Sequence, residues 1–105
     1  MKLVYKNKEI ELIECISFFN RLKGFMFKEK ITHSLLFDHC NSIHTFFMKK
    51  PIDVILCDNQ NTILYYYPNL SPNKIILPKR SITRVYELPP NYFNIKINDR
   101  LEIKK

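Results

Sequence analysis

A single glycine, Gly24, serves this chain of 105 residues. Tight turns, helix stops and bulges normally draw on glycine, because left-handed backbone costs it nothing sterically. Here the reversals must rely on Asn, Asp and Pro, and the chain places many of these between short apolar runs. Asn visits the left-handed region more readily than other non-glycine residues. Short apolar runs broken this often predict many short strands rather than long helices. The length allows one domain, residues 1–105. A chain of this size buries roughly 65% of its unfolded surface, enough for a core without disulfides or a structural metal.

Residues 2–5 and 9–15 read as a hairpin turning at Lys6-Asn7-Lys8, with Ile10 and Leu12 alternating against Glu9 and Glu11. Ser17 is placed to N-cap a short helix, SFFNRLK, in which Phe18 and Leu22 lie one turn apart. Gly24 stands where such a helix takes its left-handed stop. Segments 35–38, 42–48, 52–57, 62–67, 74–77, 82–88 and 101–103 read as strands. Asp58-Asn59-Gln60-Asn61 forms a hairpin loop and Asn98-Asp99 a tight turn. The predicted fold is mostly β: an antiparallel sandwich or barrel-like sheet with one short N-terminal helix.

The net charge is +7, and thirteen of the seventeen basic residues are Lys. Phosphate and base-edge recognition favours the planar fork of Arg. The densest basic groups, Lys49 with Lys50 and Lys79 with Arg80 and Arg84, fall short of a basic tail. A solvated Lys-rich surface is the reading, with weak non-specific nucleic-acid binding as an alternative and sequence-specific binding not favoured. Cys15, Cys40 and Cys57 are odd in number and form no CxxC pair. The opening MKLVYKNKEIEL is too polar for a signal peptide, and no apolar run approaches membrane-spanning length. The expectation is a cytoplasmic protein with reduced thiols, no membrane partner and no cofactor.

Six elements occur in a fixed order: Arg21 with Gly24-Phe25-Met26, Leu35-Leu36-Phe37, Phe47-Met48, Pro51-Ile52-Asp53, Glu87-Leu88 and Asn98-Asp99. In this order and spacing, over about residues 17–103, the chain resembles the family called domain of unknown function 192. The resemblance implies a small, mostly β, sandwich-like domain with one short helix, and it implies no activity. Phe47 stands where that family commonly has Trp. Ser34, Pro90 or Asn91, and Asn98 stand where it usually has Gly. Asn91 and Asn98 can keep left-handed turns, whereas the loop at Ser34 is expected to differ.

Cys40, His44 and Met48 are spaced four apart and form a set of soft donors suited to Cu(I), or to Zn(II) with a substitute for Met. On a helix they would converge. On a strand, four residues span about 13 Å, and SIHTFF is strand-like, so convergence requires a bend. Cys40 with His44, oriented by Asp53, is the enzyme reading, and it meets the same distance objection. Arg21, Asp53 and Glu87 are charges among apolar residues. Asp53 points away from the face of Ile52 and Val54, and Arg21 is the natural partner of Asp53 or Glu87. Tyr65 and Tyr67 can share a strand face near Lys79, Arg80 and Arg84, although sheet packing explains them as well.

The favoured function is a non-enzymatic binding or interaction module for a small-molecule or protein ligand. Its groove is expected around His44, Met48 and Asp53, with Arg21 as a polar anchor. The alternative is a soft-metal or redox-active thiol site using Cys40 and His44.

Overall fold

Period-two alternation sorts the strands of the main sheet onto two apolar faces. The computed structural model describes the backbone of all 105 residues and every side chain except those of Phe18, Phe19 and Leu22. The expected Phe18–Leu22 stacking therefore lies outside the described residues. In chain order the elements are β1 (Lys2–Tyr5), β2 (Lys8–Glu14), α1 (Phe18–Lys23), β3 (Ser34–Asp38) and β4 (Ile43–His44), followed by β5 (Ile52–Cys57), β6 (Ile63–Leu70), β7 (Ile75–Ile76), β8 (Arg84–Leu88) and β9 (Glu102–Lys104). Seven strands form one sheet in the order β6-β5-β8-β3-β2-β1-β9, and β4 pairs with β7 as a separate two-stranded ribbon.

The sheet's two edges meet at one corner. Thr62 bridges to Arg100, the Ile63 amide donates to the Asp99 carbonyl at 2.8 Å, and the Asn98 amide donates to the Ile63 carbonyl at 2.8 Å. Joining the start of β6 to the approach to β9 curls the sheet into a half-barrel. Mostly β is thus correct, and of the two expected forms the barrel-like sheet is found, as one curled half-barrel rather than a sandwich. The sheet is also mixed rather than antiparallel. β2 pairs with β3 in parallel, Leu12 facing Ser34, because the connection between them returns the chain in the same direction. α1 lies in that connection. It is six residues long, less than two turns, so it adds no layer and the architecture rests on strands alone.

Leu36, Ile55, Tyr86 and Leu88 fall on one face with Leu3, Leu12 and Phe93. Leu35, Phe37, Val54, Leu56 and Val85 fall on the other with Phe25, Met48 and Ile52. Asp53 pairs with Leu88, and Val54 with Glu87. The buried acids Asp53 and Glu87 therefore lie on opposite faces of the sheet.

With one glycine, the turns fall to other residues. Ten non-glycine residues have positive φ, and five of them are Asn: Asn61, Asn69, Asn73, Asn91 and Asn98. Asn91 and Asn98 take the left-handed backbone expected of them, at φ 59° and 77°. Ser34 needs no such backbone: it starts β3 fully buried and donates its hydroxyl to the Glu11 carbonyl at 2.7 Å.

Candidate functional site

Segment 42–48 departs most from its expected form, and the departure builds a site. Only Ile43 and His44 are extended, paired with Ile76 and Ile75. Thr45, buried, then ties the chain down. Its hydroxyl donates to the Ser71 carbonyl at 2.8 Å and accepts from the Lys74 amide at 2.8 Å, while its own amide donates to the Lys74 carbonyl at 2.8 Å. A turn follows, with Phe47 at φ 63° and the Met48 amide donating to the Thr45 carbonyl at 3.3 Å. The bend that convergence requires is present, and Cys40, His44 and Met48 all line one cavity of about 450 Å³.

The opposite wall comes from the single-glycine turn. Ser17 caps α1 by accepting from the Asn20 amide at 3.1 Å, and the Gly24 amide donates to the Asn20 carbonyl at 3.0 Å. Gly24 has φ 49° and ψ −125°, a backbone that L side chains rarely adopt. This stop delivers Arg21 and Lys23 from α1, and Phe25 and Met26 beyond it, to the cavity. Phe37 of β3 and Glu87 of β8 add the sheet's contribution.

Glu87 is the unusual group. It is 3% exposed, and its Oε1 is buried without a hydrogen-bond partner. Burial raises its pKa to about 8, with the Phe25 backbone N–H pulling the other way. At neutral pH it is mostly an uncharged acid, able to donate one hydrogen bond and accept others. A Cβ placed on Gly24 would lie 3.2 Å from this Oε1, so the glycine turn passes directly over the acid.

Arg21 does not pair as expected. Among the described residues it makes no ion pair with Asp53 or Glu87, and its bond to the Cys15 carbonyl is long, at 3.4 Å. Asp53 is already committed on the far face. It accepts from the Tyr66 hydroxyl at 2.8 Å and from the amides of Asn69 at 2.8 Å and Asn91 at 2.9 Å. These bonds stabilise a bulge in β6 and the turn after β8, and burial with the Asp53 bond raises the Tyr66 pKa. Of the residues expected around the groove, Arg21, His44 and Met48 line one cavity together with Glu87, whereas Asp53 lies on the other face of the sheet.

The thiols differ in setting. Burial pushes Cys15 up to about 11, helped by the charge of Glu87, and pushes Cys57 up to about 12. Cys40 is half-buried and donates to the Ser42 carbonyl at 3.1 Å. His44 accepts from the Phe46 amide at its Nδ1, 3.2 Å away, and stacks on Phe46 at 5.1 Å. With Asp53 on the other face, the imidazole lacks the orienting acid that the Cys–His enzyme reading requires. Among the described residues no three His, Cys, Asp or Glu side chains are grouped to hold a metal ion.

Next in sequence to the cavity-lining Met26 and Met48 stand two exposed aromatic residues. Phe27 and Phe47 both have left-handed backbone, the Phe27 amide donates to the Phe47 carbonyl at 3.0 Å, and their rings stack at 5.8 Å, each residue 61% exposed. Elsewhere, Lys79 lies over the Tyr65 ring at 5.0 Å, while Arg84 is paired with Asp38 at 3.2 Å and so withdrawn from any basic patch. Among the described residues no helix is long and apolar enough to cross a membrane.

A mixed, curled sheet with an apolar cavity around a buried acid is the architecture this sequence builds, and its relatives can be placed against it. The chain belongs to the family DUF192, described as an uncharacterized ACR, whose pattern matches residues 2–103. It is similar in fold to a protein of Sinorhizobium meliloti 1021 described as a putative transcription regulator. The two are 21% identical with a TM-score of 0.79, over 96% of this chain and 89% of that one. It is likewise similar to a protein of unknown function from Novosphingobium aromaticivorans DSM 12444, at 14% identity and a TM-score of 0.80, over 97% and 82% of the two chains. No curated protein matches the sequence. At these identities the structural likenesses concern the fold alone.

Proposed function

We propose that the protein is a small-molecule binding module whose ligand occupies the cavity between the Gly24 turn and the His44–Met48 bend. Glu87 carries the reading. A buried carboxyl oxygen without a partner costs about 1–3 kcal/mol, and a cavity beside it can supply the missing partner through a ligand. The walls suit this role, with apolar side chains supplied by Phe25, Phe37 and Met48 and a few polar groups converging from Arg21 and His44. The methyl groups of Met26 and Met48 report on the cavity, while Met1 packs against the other apolar face. In a fragment screen by methyl NMR, hits should move Met26 and Met48 and leave Met1 in place. A library that shifts none of the three, or only Met1, contradicts the reading.

A soft-metal site remains the second reading, because Cys40, His44 and Met48 share this cavity. Cu(I) bound there would broaden or shift the Met48 methyl and protect Cys40 from alkylation. If neither changes, this reading is abandoned.

A further inference from the structure

We propose that the ligand is a small organic carboxylate with an apolar body, held at its charged end by Arg21 and Lys23 and accepting a hydrogen bond from Glu87. This deepens the binding-module reading and rests on it. Three observations carry it. First, the cavity's cations are uncommitted: among the described residues neither Arg21 nor Lys23 makes an ion pair, and Arg21 spends one long bond on the Cys15 carbonyl. A guanidinium with free donors suits a carboxylate's two oxygens. Second, the acid that lines the same cavity is buried, with one oxygen unpartnered, so in its uncharged form it offers a hydrogen bond without opposing an anion. Third, Phe25, Met26, Phe37, Ile43 and Met48 give much of the remaining wall an apolar surface that matches a hydrocarbon body, while the chain's charge of +7 draws anions to the surface.

The arrangement has a definite pH dependence. The titratable groups that share Glu87's cavity are Arg21 and Lys23 of α1, Cys40 and His44, while Cys15, just after β2, feels its charge; Phe37 of β3, which lines the cavity, and Val54 of β5, its register partner, carry no charge. Once Glu87 ionises, its charge repels a bound carboxylate and competes for Arg21. Carboxylate affinity should therefore fall as pH rises through about 8. A cationic ligand would show the reverse.

Hexanoate, hexylamine and hexanol share one tail and differ in charge, so they separate the pocket from its specificity. Binding is read from the Met26 and Met48 methyl signals of the intact protein near neutral pH. Hexanoate should bind about tenfold or more tighter than either of the others, as expected when one charge-assisted contact is gained. Arg21→Gln should remove that preference. Glu87→Gln, which cannot ionise, should abolish the loss of hexanoate affinity at high pH. If hexanol or hexylamine binds as well as hexanoate, the anion assignment fails while the pocket stands. If none of the three moves the cavity methyls although a broad fragment library does, the carboxylate class is wrong. If neither does, the binding module fails too.

Discussion

A Cβ on Gly24 would sit 3.2 Å from Oε1 of Glu87. The chain's single glycine and its most deeply buried unpartnered acid are thus parts of one device. The glycine permits the backbone that brings the α1 stop close over the carboxyl, and the acid fills the space a side chain would take. Gly24→Ala has to accept both the positive φ and the close approach. Urea unfolding should show a loss of about 1–3 kcal/mol, and the Met26 methyl signal should shift. An alanine variant as stable as the parent would mean that the turn relaxes freely.

Glu87 also sets how stability responds to pH. Its folded pKa lies above the value of an exposed glutamate, so the folded protein holds a proton that the unfolded chain releases. The sign follows: the favourable term is fully present below the ordinary carboxylate pKa and is lost as pH rises to about 8. Glu87→Gln removes this term, so the variant should gain on the parent between pH 5 and pH 8, by an amount on the order of several kcal/mol across the window. Urea midpoints at the two pH values measure it. A constant difference would mean that Glu87 is ionised in the fold.

Asp53 predicts a purely structural loss. Its carboxylate holds one hydroxyl and two backbone amides, and Asp53→Ala leaves all three without their acceptor inside the fold. About 3 kcal/mol or more should be lost, while Tyr66→Phe, which removes one donor and strands no amide, should cost about 1 kcal/mol. Hexanoate binding to any Asp53→Asn protein that folds should match the parent, since the two acids lie on opposite faces. Arg21→Ala, by contrast, should cost under about 1 kcal/mol, because no buried ion pair is broken.

The three thiols should react in order of their surroundings. Burial raises the pKa of Cys15 to about 11 and of Cys57 to about 12, and Cys40 is the least buried. Pulse alkylation at neutral pH, read by mass spectrometry, should label Cys40 first and Cys57 last. Labelling at equal rates would indicate that local opening, not burial, controls access.

Alternation made much of this fold legible in the sequence. The family resemblance, with asparagine's tolerance of left-handed backbone, pointed to turns at Asn91 and Asn98 that need no glycine, while alternation set Asp53 apart from Ile52 and Val54 and defined 52–57 as a strand. It gave the wrong outcome for 42–48, whose β-branched and aromatic residues look like a strand. The Thr45 hydroxyl and backbone bind Ser71 and Lys74 instead, and that contact, more than 25 residues away in sequence, decides the local conformation. The parallel β2–β3 pairing was hidden for the same reason, since strand direction depends on where the connection returns. Glu87 was visible as a charge among apolar residues. Pairing it with Arg21 was the natural inference, and only the sheet register shows that it faces a cavity instead.

The carboxyl of Glu87 reports on the central claim most directly. Carbon-13 NMR of the side-chain carboxyl, followed as pH is varied, should give a midpoint near 8 in the free protein and a higher one with saturating hexanoate, because a bound anion disfavours ionisation. A midpoint in the ordinary glutamate range, or one near 8 that hexanoate leaves unmoved, would contradict a ligand site built around this acid.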